Sequence, residues 1–206
     1  NNKENLKMET ERFLKLSQDY KKNFEEKDLF YFSTPGRTEI SGNHTDHNYG
    51  RVIAASVNLD SIAIAAKNNT SKIILYSDIY EKPFEVNINE FSKIESEEGT
   101  TNALLKGIAA RIDELGFSIG GFYALLCSNV LPGSGLSSSA SIEVLIGSIF
   151  NVLFNEGKIA NNEIAKIGQW AENNYFGKPC GLMDQMACAI GGIIAIDFRD
   201  PDNPIF

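Results

Sequence analysis

Pro132-Gly133-Ser134-Gly135-Leu136-Ser137-Ser138-Ser139-Ala140-Ser141 is a run of small residues standing between two apolar segments. Residues 122–126 before it have strand character, and residues 142–154 after it carry apolar side chains at helical spacing. A strand therefore turns into a helix within this run. The first N–H groups of a helix lack intrahelical partners, and the macrodipole adds roughly half a positive charge there. Gly133 and Gly135 let a ligand approach the backbone, while Ser137, Ser138 and Ser139 add hydroxyls suited to phosphate oxygens or a hard cation. Pro132, Ser134 and Leu136 complete the candidate cradle. Two common nucleotide loops are excluded, because one needs Lys after its last glycine and the other a third Gly, where this chain has Leu136 and Ser138. A Ser-rich helix cap behind a Pro-Gly turn accounts for the same residues. On this stretch alone both readings stand, although one serine suffices for a cap.

The composition narrows the setting. At 206 residues, 43% apolar and 22% charged, the chain can bury a substantial core. No run approaches the roughly 20 uninterrupted apolar residues of a membrane span. A net charge of −8 argues against nucleic acid or an anionic membrane as the main partner. Cys127, Cys180 and Cys188 are odd in number and form no CxxC pair, which reads as reduced thiols in a cytoplasmic protein. Residues 1–5 have no apolar core and are no signal peptide. Asn1 is not an initiating Met, so the chain is expected to begin inside a longer one, and residues 200–206 to end at a cut.

In order along the chain, Leu6, Phe13, Leu16, Tyr20 and Phe24 predict an amphipathic helix. Residues 29–33 predict a strand, followed by a polar stretch, residues 34–50, that holds Arg37 and both histidines of the chain. Residues 52–57, 61–66 and 73–77 read as three strands with a hairpin turn at 68–70, and residues 84–88 as a fourth. A helix ending at Gly116 and a strand at 121–127 precede the cradle. The helix expected at 138–155 buries Ile142, Leu145, Ile146, Ile149 and Leu153 and exposes Asn151 and Asn155. A further helix at 161–173 carries Trp170 and Glu172, is broken at 177–185, and resumes at 186–190 before a last strand at 193–198. With no repeat or linker, residues 1–206 read as one α+β domain.

Phosphoryl transfer needs a phosphate cradle, a neutralising cation and a group that orients or deprotonates the attacking hydroxyl. Asp184, at a helix start, is a candidate for the last task, or simply an N-cap. Arg37 either stabilises transferring charge and holds Asp184 ionised, or pairs with Glu39 in solvent. His44 and Asp46 suit sugar hydroxyls, or cap their own loop. His44, Asp46 and His47 are also metal-ligand types, the basis of an alternative reading as a metal-dependent hydrolase.

Together the three polar segments resemble the GHMP small-molecule kinases, and among them the galactokinases. The residues that carry the likeness are Leu131 to Ala140, the stretch Gly36-Arg37-Thr38-Glu39-Ile40-Ser41-Gly42-Asn43-His44-Thr45-Asp46, and Ala171-Glu172 followed by Gly177 to Gln185. The resemblance implies the family's N-terminal domain, with a mixed or antiparallel sheet and helices packed on one side, and a C-terminal domain missing from these residues. It implies ATP and Mg2+ as cofactors and a small-molecule sugar as substrate, phosphorylated at its anomeric hydroxyl by a monomer. Asp184 matches the catalytic aspartate and Arg37 the arginine assisting it. Ser139 and Glu172 match magnesium ligands, and Asn43, His44, Asp46, Gly181 and Asp184 match sugar-contacting positions. Residues 132–139 match the triphosphate loop. The chain departs from the usual signature with Asn43 in place of Glu, and with Glu39, Ser41 and His47 in place of Asn, Ile and Tyr. Thr101 and Leu104 stand where many galactokinases carry aromatic residues near adenine, so the base is expected to rest on apolar packing alone. A non-catalytic sugar and ATP sensor is the alternative within the same family.

Overall fold

The computed structural model describes residues 2–24 and 28–206, and of residues 2–6 and 8 only the backbone. Strand β2 (Arg51–Lys67) is the spine of the sheet, and its apolar residues 62–66 are buried because both faces are covered. Along one edge β2 pairs antiparallel with β1 (Phe30–Ser41). Along the other, its second half pairs with β5 (Phe122–Ser128) and its first half with β6 (Ile193–Asp197). Beyond β5 lie β3 (Lys72–Ser77), parallel to it, and β4 (Phe84–Asn87), antiparallel to β3. Among the described residues this is the mixed sheet expected, in the order β1-β2-β5-β3-β4 with β6 on β2.

Three strand expectations change. The strands expected at 52–57 and 61–66 are one; the polar break between them survives as a register shift in which Pro35 pairs with Asp60 but Arg37 with Ser56. The strand expected at 29–33 continues to Ser41, so Arg37 lies on a strand rather than in a loop. Pro35 is tolerated there because the shift falls on it and excuses its missing N–H. A turn does form at 68–70, where Asn68 Oδ1 accepts from the Thr70 N–H and hydroxyl, but it joins no hairpin, since β5 lies between β2 and β3.

Helices α2 (Thr101–Glu114), α3 (Ser138–Asn155), α4 (Asn161–Ala171) and α5 (Met183–Ile190) lie on one face of the sheet, as expected. Leu105, Ile108, Leu145 and Ile149 meet Ala63, Ala65, Phe122 and Ala124 there. Helix α1 (Asn2–Asn23) covers the opposite face, packing Leu16 and Tyr20 on Ile62, Ile64 and Leu125. The core role expected of Leu6 lies outside the described residues. Arg12 fastens α1, donating from Nη1 to Asp60 Oδ1 at 2.5 Å, while the Ser33 hydroxyl donates to Asp60 Oδ2 at 2.6 Å.

Helix α3 has the expected bounds, and although apolar and long enough to cross a membrane it lies in the core. Asn151 and Asn155, expected in solvent, are buried. Their amides stand in for backbone. Asn151 exchanges two hydrogen bonds with Ile159, and Asn155 accepts from the Ser118 N–H and donates to the Ser118 and Phe150 carbonyls.

Candidate active site

The cradle is pinned to β1 before any ligand is considered. The Arg37 N–H donates to the Leu136 carbonyl at 3.0 Å, and a Cβ at Gly36 would stand 2.8 Å from that oxygen, so only glycine admits the contact. The buried Arg37 side chain then donates from Nε and Nη2 to Asp184 Oδ1 and Oδ2 at 2.7 and 2.9 Å, and from Nη1 to the Gly135 carbonyl at 2.9 Å. One guanidinium fork thus ties the loop to the first turn of α5. The Ser137 hydroxyl adds a third bond to Asp184, reaching Oδ2 at 2.5 Å, and the carboxylate remains 34% exposed on its open side.

Helix capping does not explain these residues. Ser137, the residue preceding α3, sits in the left-handed region (φ 59°) and makes no side-chain cap bond. Asp184 turns its carboxylate away from its own helix toward Arg37. Arg37 is not paired with Glu39.

An acidic corner adjoins the loop. Helix α4 runs into a π-helical turn, Glu172–Phe176, whose first carboxylate is buried. Glu172 Oε1 faces the Ser139 hydroxyl at 3.4 Å and the Lys178 ammonium at 3.3 Å, while Oε2 accepts from Gln185 Nε2 at 3.0 Å. The same amide nitrogen donates to Glu143 Oε2 at 2.9 Å. Burial first, and the neighbouring Glu172 second, push the Glu143 acid well above the usual carboxylate range. Glu172 raises the Lys178 ammonium, and burial beside Glu172 pushes the Cys180 thiol up as well. Sequence reasoning assigned no role to Glu143, Gln185 or Lys178. The one signal was an acid at 143, between Ile142 and Val144, on a face that otherwise reads as core.

Asp46 lies in a short 3-10 turn, Thr45–Asn48, and is buried. Its Oδ2 accepts the Met183 N–H at 3.2 Å and so caps α5 from another segment. A Cβ at Gly181 would fall 1.9 Å from that oxygen, which makes glycine the only residue compatible with this approach. Asn43 and His44 are exposed at the rim, both with positive φ. His44 donates its N–H to Glu39 Oε1 at 2.9 Å and brings Nε2 within 3.2 Å of Oε2. His47 Nδ1 lies 3.5 Å from Asp46 Oδ1. Asp46 and His44 therefore serve different partners. Among the described residues, no group of three His, Cys, Asp or Glu side chains is placed to hold a metal ion.

A cavity of about 280 Å³ opens beside the loop, lined by Leu75, Tyr80, Phe84, Leu104, Ile142 and Phe176 together with Thr101, Pro132, Ser138 and Ser139. Thr101 and Leu104 both line it, and aromatic rings add to its apolar surface. The ring of Tyr80 meets Phe84 edge-on at 5.0 Å, and Phe176 comes from the π-helical turn. These aromatic residues come from segments distant in sequence, and no local pattern announced them.

Residues 103–192 match the model of the GHMP kinases N terminal domain, and residues 18–67 that of the galactokinase galactose-binding signature. Over these residues the chain is similar to the N-terminal domain of the GHMP kinases. Within that family it is similar to galactokinases. It is 38% identical to the galactokinase of Clostridium tetani over 177 residues, covering 85% of this chain and 44% of the relative. It is 33% identical to that of Lactococcus lactis subsp. lactis over 187 residues, covering 89% and 45%. The crystal structure of Lactococcus lactis galactokinase complexed with galactose superposes with a TM-score of 0.83 at 30% identity, covering 92% of this chain and 50% of that one. Methanococcus jannaschii mevalonate kinase shares the fold (TM-score 0.70, 23% identity, 88% and 56% covered). The chain spans less than half the length of the curated relatives named here.

Proposed function

We propose that residues 1–206 form the N-terminal domain of an ATP-dependent sugar 1-kinase of the galactokinase type, with galactose or a related hexose as substrate and a C-terminal domain completing the cleft. The observation that carries this is the Arg37 fork, which joins Asp184 to the Gly135 carbonyl of the cradle and so puts a carboxylate beside the phosphate site. The γ-phosphoryl passes in line from ATP to the anomeric hydroxyl. Asp184 orients that hydroxyl and accepts its proton, and Arg37 fixes the position of the carboxylate while lending positive charge to the transferring group. Backbone N–H groups and hydroxyls of residues 132–139 hold the phosphates, and the adenine enters the apolar cavity between Tyr80, Leu104 and Phe176.

Ser139 and Glu172 fit Mg2+, since they offer two hard oxygens beside the phosphate loop. Bound there, the ion supplies neutralising charge to the phosphate oxygens. Asn43, His44, Asp46 and Gly181 line the sugar side. The setting is cytoplasmic, and the active form a monomer.

The test is coupled ADP release by the full-length protein with galactose, N-acetylgalactosamine and glucose. Release that depends on one of these sugars and on Mg2+ is expected. ATP binding without turnover of any hexose would overturn the kinase reading in favour of a sensor.

A further inference from the structure

Arg37 and Glu39 lie two residues apart on β1 with no register shift between them, so both side chains leave the same face of the strand, about 7 Å apart. Arg37 goes to Asp184. The Glu39 side chain, only 13% exposed, goes to His44 and engages it twice, at the backbone N–H and at the ring. His44 sits in the left-handed region (φ 52°) and makes no side-chain bond that caps the 3-10 turn behind it. Glu39 therefore fixes both the strained backbone and the ring of a residue standing at the rim of the site.

We propose that Glu39 is a positioning residue that sets which hydrogen-bonding face His44 presents to the sugar. A carboxylate oxygen 3.2 Å from Nε2 attracts the ring proton to that nitrogen, because a bare lone pair there would oppose the oxygen's own. In the neutral ring Nδ1 is then an acceptor, and the group it recognises is a sugar hydroxyl acting as donor. The proposal rests on the sugar-kinase reading.

Glu39→Gln tests it in the full-length protein. The amide oxygen can still accept the His44 N–H, but its NH2 faces the ring and drives the proton to Nδ1, turning the acceptor into a donor. The expected result is a sugar KM raised about tenfold, kcat within about threefold and an unchanged KM for ATP. In a His44→Ala background the same substitution is expected to move the sugar KM by less than about twofold. Imidazole 15N NMR, assigned with His44→Gln, should show the neutral wild-type ring protonated at Nε2 and the Glu39→Gln ring at Nδ1. An unchanged sugar KM, a tenfold effect that persists without His44, or a wild-type ring protonated at Nδ1 would each overturn the proposal; the last does not depend on whether Glu39→Gln folds. If the wild type phosphorylates no sugar, the kinase reading fails, and the ring spectrum still decides whether Glu39 governs His44.

Discussion

Asp184→Asn keeps the shape of the side chain but removes the charge against which Arg37 is buried. In the wild type the carboxylate accepts from Arg37 twice and from Ser137 once. An amide in the same place offers one oxygen to the fork and turns its NH2 against the other guanidinium donor. Breaking a fully buried pair costs about 3–5 kcal/mol. Arg37 is 7% exposed but the Asp184 side chain is 34% exposed, so solvent screening lowers the expected loss to about 2 kcal/mol. For a domain of this size that lowers Tm by about 4–8 °C. On the proposed mechanism the kinetic loss is larger: a group acting on the transferred proton contributes about 10²–10⁴ in rate, or roughly 3–5 kcal/mol of barrier. The assay is ADP release by the full-length enzyme at saturating galactose and ATP, alongside ATP titration and thermal unfolding of the same preparation. ATP affinity within about threefold, a modest fall in Tm and a kcat below about one-hundredth of wild type are expected. A lower Tm with kcat above about one-tenth of wild type would refute the reasoning and leave Asp184 only as the counter-ion of Arg37.

Gly181→Ala forces Asp46 off the Met183 N–H, since the new Cβ would meet Oδ2 at 1.9 Å; a loss of about 1–3 kcal/mol and a raised sugar KM are expected, and unchanged values of both would show that Asp46 has room to move. Asp60→Asn weakens the Arg12 and Ser33 anchors of α1 and is expected to cost about 2 kcal/mol, read as a lower Tm with faster proteolysis within residues 7–24; equal proteolysis would mean that the apolar contacts of Leu16 and Tyr20 hold the helix alone. Arg199 first, and then Arg51, hold Asp197 down to about 2. A depressed folded value stabilises above the ordinary aspartate range and fades as pH falls from about 4 toward 2. Denaturant midpoints measured over that window should fall less steeply for Asp197→Asn than for wild type, and parallel slopes would contradict the assignment.

Local chemistry carried a good deal of this protein into its sequence. Helix α3 begins and ends where its apolar period and flanking small residues put it, because a buried helix must show its packing face at 3.6-residue intervals. The strand-to-helix junction at residues 132–141 was likewise legible, since its small residues stand between two apolar runs. What the sequence determined by itself was therefore the set of elements and the chemical types available in each polar segment. The partnerships were not legible. Arg37 was equally close to Glu39 on paper, and the outcome depended on β1 running on to Ser41 and facing α5, 147 residues away. The insertion of β5 between β2 and β3 undid a hairpin whose turn residues were correct, because pairing depends on what else competes for the strand edge. Asn151 and Asn155 read as surface groups, and Glu143 and Gln185 were given no role; all four are buried, each with an amide, carbonyl or carboxyl partner that only packing supplies. Which acid meets which base, and which aromatic residues close the pocket, was decided by tertiary structure alone, for hydrogen bonds and desolvation act over distances in space that chain order does not record.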